Sequence, residues 1–172
     1  MSANDVNQYV NNCVDSSLKC ALYTKGLNIK QQSLDDIKAE SQDYIKKSLN
    51  LCLGDLSQKF RGNKFNFDKN NPEIIFSEDA TSVSIKNLGE MTNGGNVRKT
   101  LGGYAAKTQI AFSKVYAFIQ SIKNNQREKR IENIDPRFKL SVYQLDDTKE
   151  AIIVSDALSK FDGKEFKAVY TN

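Results

Sequence analysis

At 172 residues the chain is long enough to bury a core without a metal or a dense disulfide framework, and 39% apolar residues, before its nine glycines are added, exclude a disordered class. The net charge of +4 is spread over interleaved basic and acidic residues, not gathered into the stripe typical of a nucleic-acid-binding domain. With no histidine and three cysteines, histidine-based triads, histidine-containing zinc sites and four-cysteine sites are all excluded.

From the N-terminus, apolar positions at helical spacing (Val6, Val10, Cys13, Val14, Ala21, Leu22) predict a helix over 4–25, stopped by Gly26. Ser33-Leu-Asp-Asp36 resembles a capping box with Asp in place of Glu, so a second helix should start there. Its stripe, Leu34, Ile37, Ser41, Tyr44, Ile45, Ser48, Cys52, Leu56 and Phe60, runs to a stop at Gly62. Two helices with a short polar link favour an antiparallel hairpin. The period then changes: Glu73–Phe76 and Thr81–Ile85, around Ser77-Glu-Asp-Ala80, predict a β-hairpin.

Asn87 to Gly103 carries five glycines and no apolar period, and reads as a loop. A third helix is expected from Tyr104, with Thr108, Ala111, Phe112, Val115, Ile119 and Ile122 on one side, ending before Asp135-Pro136. Phe138–Tyr143, Ala151–Val154 and Phe166–Tyr170 predict a closing antiparallel meander with turns at Asp146-Asp147 and Asp162-Gly163. The expected whole is a single α+β domain over 1–172: a helical hairpin and a third long helix packed on one face of a mainly antiparallel sheet of about five strands.

The sequence carries few motifs with a chemical signature. Gly89-Glu-Met-Thr-Asn-Gly94 has the first glycine spacing of a phosphate loop, but Gly95-Asn96 stand where Lys and Ser/Thr are needed. A mobile connection is the plainer reading. If a ligand pocket exists, the residues expected to face it are Gly89, Asn93, Gly94, Gly95, Gly102 and Gly103. Asp68-Lys-Asn70 alternates oxygens like a calcium loop, yet lacks the sixth-position glycine and has Asp79 at the twelfth. No catalytic, metal or cofactor residue is assigned. The basic run holding Lys123, Arg127, Lys129 and Arg130 is a candidate contact for phosphate, lipid headgroups or an acidic partner, but the plainer reading is cations favoured at a helix C-terminus by its dipole. The aromatics Tyr104, Phe112, Tyr116 and Phe118 fall on or beside the core stripe.

Cys13 and Cys52 lie on the inner stripes of the first two helices and can face each other across an antiparallel hairpin. Cys13 and Cys20 cannot bond, because seven helical residues separate them by about 10 Å along the axis. Spacing leaves Cys20–Cys52 as a competing pair and three buried thiols as a third arrangement.

No run of about eighteen apolar residues is present, and no signal-peptide pattern opens the chain. That leaves a cytoplasmic protein, or the soluble part of a longer one.

Four stretches bear on that choice: "YVNNCVDSSLKCALYTKGL" with Cys13 and Gly26, "YIKKSLNLCLGDL" with Cys52, "YAAKTQIAFSKVYAFIQSI", and "AIIVSDALSKFDGKEFKAVY" with Asp156. Together they resemble the opening, second and third helices and the closing strands of a family from small-genome archaea of the nanoarchaeal (DPANN) lineages. In that family an N-terminal membrane-spanning segment precedes an extracellular domain of this size, and no activity is assigned. Asn28-Ile-Lys-Gln-Gln-Ser33 departs from the Gly-Gly-Tyr-Ile type segment often found there.

The resemblance implies a cell-surface ectodomain with one disulfide, anchored by an N-terminal segment that this chain lacks. It sets the expectation that Cys13 and Cys52 are bonded and that Cys20 is a free thiol packed in the hairpin. The function expected is a non-catalytic, non-enzymatic surface domain for adhesion, envelope structure or assembly. It would act through a protein partner or self-association and bind no nucleic acid or cofactor. An extracellular ligand-binding or sensor domain is the alternative, followed by a cytoplasmic enzyme or nucleic-acid adaptor.

Overall fold

The computed structural model of the protein describes residues 3–29, 32–67, 70–94, 98–124 and 135–171. It is α+β, with three helices, one short helical turn and, among the described residues, nine strands. In chain order these are α1 (Ala3–Gly26), α2 (Leu34–Gly54), the turn α3 (Leu56–Lys59), β1 (Asn63–Asn66), β2 (Glu73–Phe76), β3 (Thr81–Ile85), β4 (Gly89–Asn93), β5 (Arg98–Leu101), β6 (Tyr104–Thr108), α4 (Phe112–Asn124), β7 (Phe138–Gln144), β8 (Glu150–Phe161) and β9 (Lys164–Thr171). Instead of one five-stranded sheet, the strands form three three-stranded sheets, ordered β1-β4-β5, β2-β3-β6 and β7-β8-β9.

The chain divides into two compact units, interleaved in sequence. The first takes Met1–Ala21, Lys38–Ile75 and Ser82–Lys107; the second takes Leu22–Ile37, Phe76–Thr81 and Thr108–Asn172.

In the first unit α1 buries Val6, Val10, Cys13, Val14, Ser17 and Leu18, a 3–4 spacing that puts one stripe inward. α2 buries Ser41, Ile45, Leu49 and Leu53 at steps of four. The helix stops at Gly54, eight residues short of the expected Gly62, and resumes as the single turn of α3. Glycine is among the weakest helix formers, and Leu56 and Phe60 stay buried without helix continuity. The antiparallel sheet β1-β4-β5 occupies much of the segment expected to be a loop. Gly89, at the start of β4, has φ 153°, and a Cβ there would collide with the carbonyl of Asn66, so its glycine is set by close backbone approach. Tyr104–Thr108, expected as the first turn of a helix, is strand β6.

The second unit is built on the antiparallel sheet β7-β8-β9, in register from Phe138↔Asp156 to Gln144↔Glu150 on one side and from Ala151↔Thr171 on the other. Phe138, Val154, Phe166, Ala168 and Tyr170 are buried on its inner face. α4 begins at Phe112, whose ring lies 5.3 Å from Phe76 and 6.2 Å from Phe166. Beyond β9, the Ile29 N–H donates to the carbonyl of Val169 at 2.8 Å and covers that edge.

Candidate functional site

Cys13 and Cys52 are joined by a disulfide with their Cα atoms 5.9 Å apart. Two turns of paired contacts fix the helix direction: Cys13 meets Cys52, and Ser17 Oγ lies 3.2 Å from Ser48 Oγ, so residue numbers rise on α1 as they fall on α2. The hairpin is antiparallel, as expected. Tyr9 ties to the backbone beside the bond: its hydroxyl donates to the Cys52 carbonyl at 2.9 Å, its ring meets Phe60 edge-on, and the Lys59 ammonium sits 4.3 Å above the ring centre.

Cys20 is free but exposed, not packed in the hairpin. A heptad falls about 20° short of two full helical turns. Cys13 already sits at the flank of the buried stripe, so the next heptad position rotates out of it.

The second unit carries a cleft of about 680 Å³, lined by Tyr23 and Leu27 from the end of α1 and by the tip of the β8–β9 hairpin. The tip is a two-residue turn in which Asp162 and Gly163 both have positive φ (47° and 76°), the geometry that matches strand twist in tight hairpins. Tyr23 stacks on Phe161 at 5.0 Å and remains 44% exposed. A Cβ on Gly26 would run into the Phe166 ring, so glycine lets the helix end approach the strand. Asp162, Lys164, Glu165 and Lys167 give the rim both signs of charge.

A buried ion pair supports this sheet. Asp156 is fully buried; its carboxylate accepts from Arg137 Nε at 2.9 Å and Nη2 at 2.5 Å, from the Leu158 N–H at 3.0 Å and from Ser159 Oγ at 2.6 Å. Ser159 Oγ in turn accepts the N–H of Ala111 at 2.8 Å, just ahead of α4. Burial pushes the Asp156 carboxyl up, but the Arg137 and Ser159 hydrogen bonds, the Leu158 N–H and the guanidinium charge together hold it below the usual range. A register shift between Asp156 and Lys160 makes the network possible, turning Ser159 inward and leaving Leu158 64% exposed. At the surface, Lys114 pairs with Asp79 at 2.7 Å and, by that hydrogen bond and its charge, lowers the Asp79 pKa.

At the opposite edge of the sheet no further strand is found among the described residues. Among the described residues β7 pairs only with β8, and Val142, Tyr143 and Leu145 are 51%, 55% and 58% exposed. The Arg137 carbonyl accepts from Ala157 N–H and the Leu145 N–H donates to Lys149, so the backbone groups of odd-numbered residues turn towards β8. By alternation, those of Leu140, Val142 and Gln144 turn outward.

The segment holding the expected ligand-facing residues is mostly strand. Gly89 and Asn93 open and close β4, Gly94 is in the turn after it, and Gly102-Gly103 joins β5 to β6, so this is a paired sheet and not a connecting loop. Gly95, Asp68, Arg127, Lys129 and Arg130 lie outside the described residues, and Lys123 is in the last turn of α4. Tyr104 and Phe112 are buried as expected. The Tyr104 hydroxyl donates to Asn7, that of Tyr116 donates to the Gln32 carbonyl, and Phe118 stacks on Phe138 at 4.5 Å. Among the described residues no group of three or more His, Cys, Asp or Glu could hold a metal ion, and no helix is long and apolar enough to cross a membrane. The chain matches no protein-family model, no curated protein and no solved structure.

Proposed function

We propose that this chain is a non-catalytic domain that works outside the reducing cytoplasm, in adhesion, envelope structure or assembly. The observation that carries this reading is the Cys13–Cys52 disulfide, since such bonds persist chiefly in oxidising compartments. The exposed apolar edge of β7 suits a domain that works by contact with a protein. The proposal extends to display on the cell surface by a membrane anchor, an extension that rests on the family resemblance alone. The spread of charge supports a partner other than nucleic acid.

Peptide mapping of alkylated, unreduced protein taken from its native compartment tests the reading. The expected result is label on Cys20 alone. Label on all three cysteines would remove both the disulfide and the extracellular placement, and would favour a cytoplasmic protein.

A second reading, an extracellular ligand-binding or sensor domain, is favoured by one observation: the cleft beside Tyr23 and Phe161 has the volume of a small-molecule site, with an exposed aromatic face and polar groups at its rim.

A further inference from the structure

We propose that β7 pairs with β7 of a second copy of this chain, two-fold and antiparallel, joining two three-stranded sheets into one of six strands. The inference rests on the assembly reading above and names its partner. Three observations carry it. β7 has a neighbour on one side only among the described residues, and its second half is exposed and apolar at Val142, Tyr143 and Leu145. Such an edge is a template for another strand, and natural proteins usually blunt it with prolines, bulges or inward-pointing charges. From Phe138 to Gln144 there is no proline, bulge or inward-pointing charge, and the one lysine of the kind that also blunts edges, Lys139, is 68% exposed but stands near the start of the strand, outside its apolar half.

The second observation is backbone parity. Leu140, Val142 and Gln144 present their N–H and C=O groups outward. A two-fold axis perpendicular to the sheet keeps each side chain on its own face, so paired residue numbers must sum to an even value. Centring the axis on Val142 sets Val142 against Val142 and Leu140 against Gln144, which joins all three outward residues in about six main-chain hydrogen bonds. Centring it on Tyr143 leaves Leu140 facing Asp146, whose N–H is already donated to Lys149 and whose carbonyl already accepts from Gln144, and centring it on Ser141 sets Gln144 against Phe138, whose N–H is already donated to Asp135.

The third observation is charge. Lys139 stands near the start of the strand and Asp146-Asp147 just past its end, so antiparallel pairing brings the basic end of each copy towards the acidic end of the other. The bond of Lys139 to Glu165, 3.0 Å, is on the surface and can be shared or exchanged.

The experiment uses the full chain. Light scattering and sedimentation over a concentration series read the oligomeric state of the parent and of Val142→Lys. A Cys20→Ser background carrying Val142→Cys or, separately, Ser141→Cys reads the register by intermolecular disulfide formation. The expected results are a concentration-dependent dimer, a dissociation constant raised about tenfold or more by Val142→Lys, where like charges face each other, and cross-linking at 142 well above that at 141. If Val142→Lys does not fold, the cross-linking pair still decides. A chain that stays monomeric at every concentration overturns β7 pairing and leaves the disulfide-based reading untouched. A dimer that cross-links no better at 142 than at 141 also overturns it, and assigns assembly to another face.

Discussion

The two compact units fasten their elements by opposite chemistry. The first ties α1 to α2 with a covalent bond between Cys13 and Cys52, beside a hydrogen bond from Tyr9 to the Cys52 carbonyl. The second ties β7 to β8 with a buried carboxylate, Asp156, gripped by Arg137 and by two groups of its own strand. A disulfide responds to electrons and is indifferent to protons. An ion pair does the reverse. The same chain should therefore have two separate weak points, one exposed by reductant and one by acid.

The largest expected effect is on the covalent side. Replacing Cys13 and Cys52 together by serine should cost about 4 kcal/mol, because a bond closing a loop of this length chiefly restricts the unfolded chain. Urea unfolding under oxidising conditions measures it. Hydrogen exchange should place the loosened amides on α1 and α2 first. Equal loosening of β7 and β8 would show that the two units unfold as one, and the comparison would fail.

Asp156→Asn is the counterpart, and should cost about 3 kcal/mol by leaving Arg137, whose side chain is 9% exposed, without its carboxylate. The pH dependence has a definite sign. The carboxyl pKa is lower in the folded protein, so its contribution is fully present above the ordinary carboxylate value of about 3.9. It is lost as pH falls through the folded value. The parent should lose stability below about pH 4, and the Asn variant should show a shallower acid limb. Identical limbs would transfer the acid response to other carboxylates.

The same contrast explains what could be read in advance. That Cys13 and Cys52 could face each other was legible because both fall on helical stripes, but spacing alone left Cys20–Cys52 and three free thiols open; the closing meander was legible because Phe138–Tyr143 and Phe166–Tyr170 alternate clearly. β1, β4 and β5 were not, because their side chains are half-exposed and polar, and five glycines imitate a loop. Ala105, Ala106 and Lys107 are good helix formers drawn into β6 by sheet pairing, an override that local preference does not register. The cleft joins Tyr23 to Phe161, far apart in sequence, and Arg137 carries no local pattern that points to Asp156. Three small sheets replace the expected one because strands missed in the middle of the chain supplied neighbours of their own.

The smallest effect sharpens the comparison by supplying a fastening that answers to neither electrons nor buried charge. At the start of α2 the Asp36 N–H donates to Ser33 Oγ at 3.1 Å, and the Ser33 N–H donates to Asp36 Oδ2 at 3.3 Å. This is the reciprocal cap expected from Ser33-Leu-Asp-Asp36, with the Ser33 hydroxyl also donating to the same Asp36 oxygen at 2.7 Å. All of it is exposed, so water partly substitutes for what is removed. Ser33→Ala should cost about 1 kcal/mol, and Ser33→Gly only a few tenths, since glycine tolerates the cap conformation and lets water reach the freed N–H groups. Denaturant midpoints for the two variants, at neutral pH with the disulfide intact, measure the difference. Equal losses would mean that the hydroxyl is incidental and that the burial of Ile37 holds the first turn of α2.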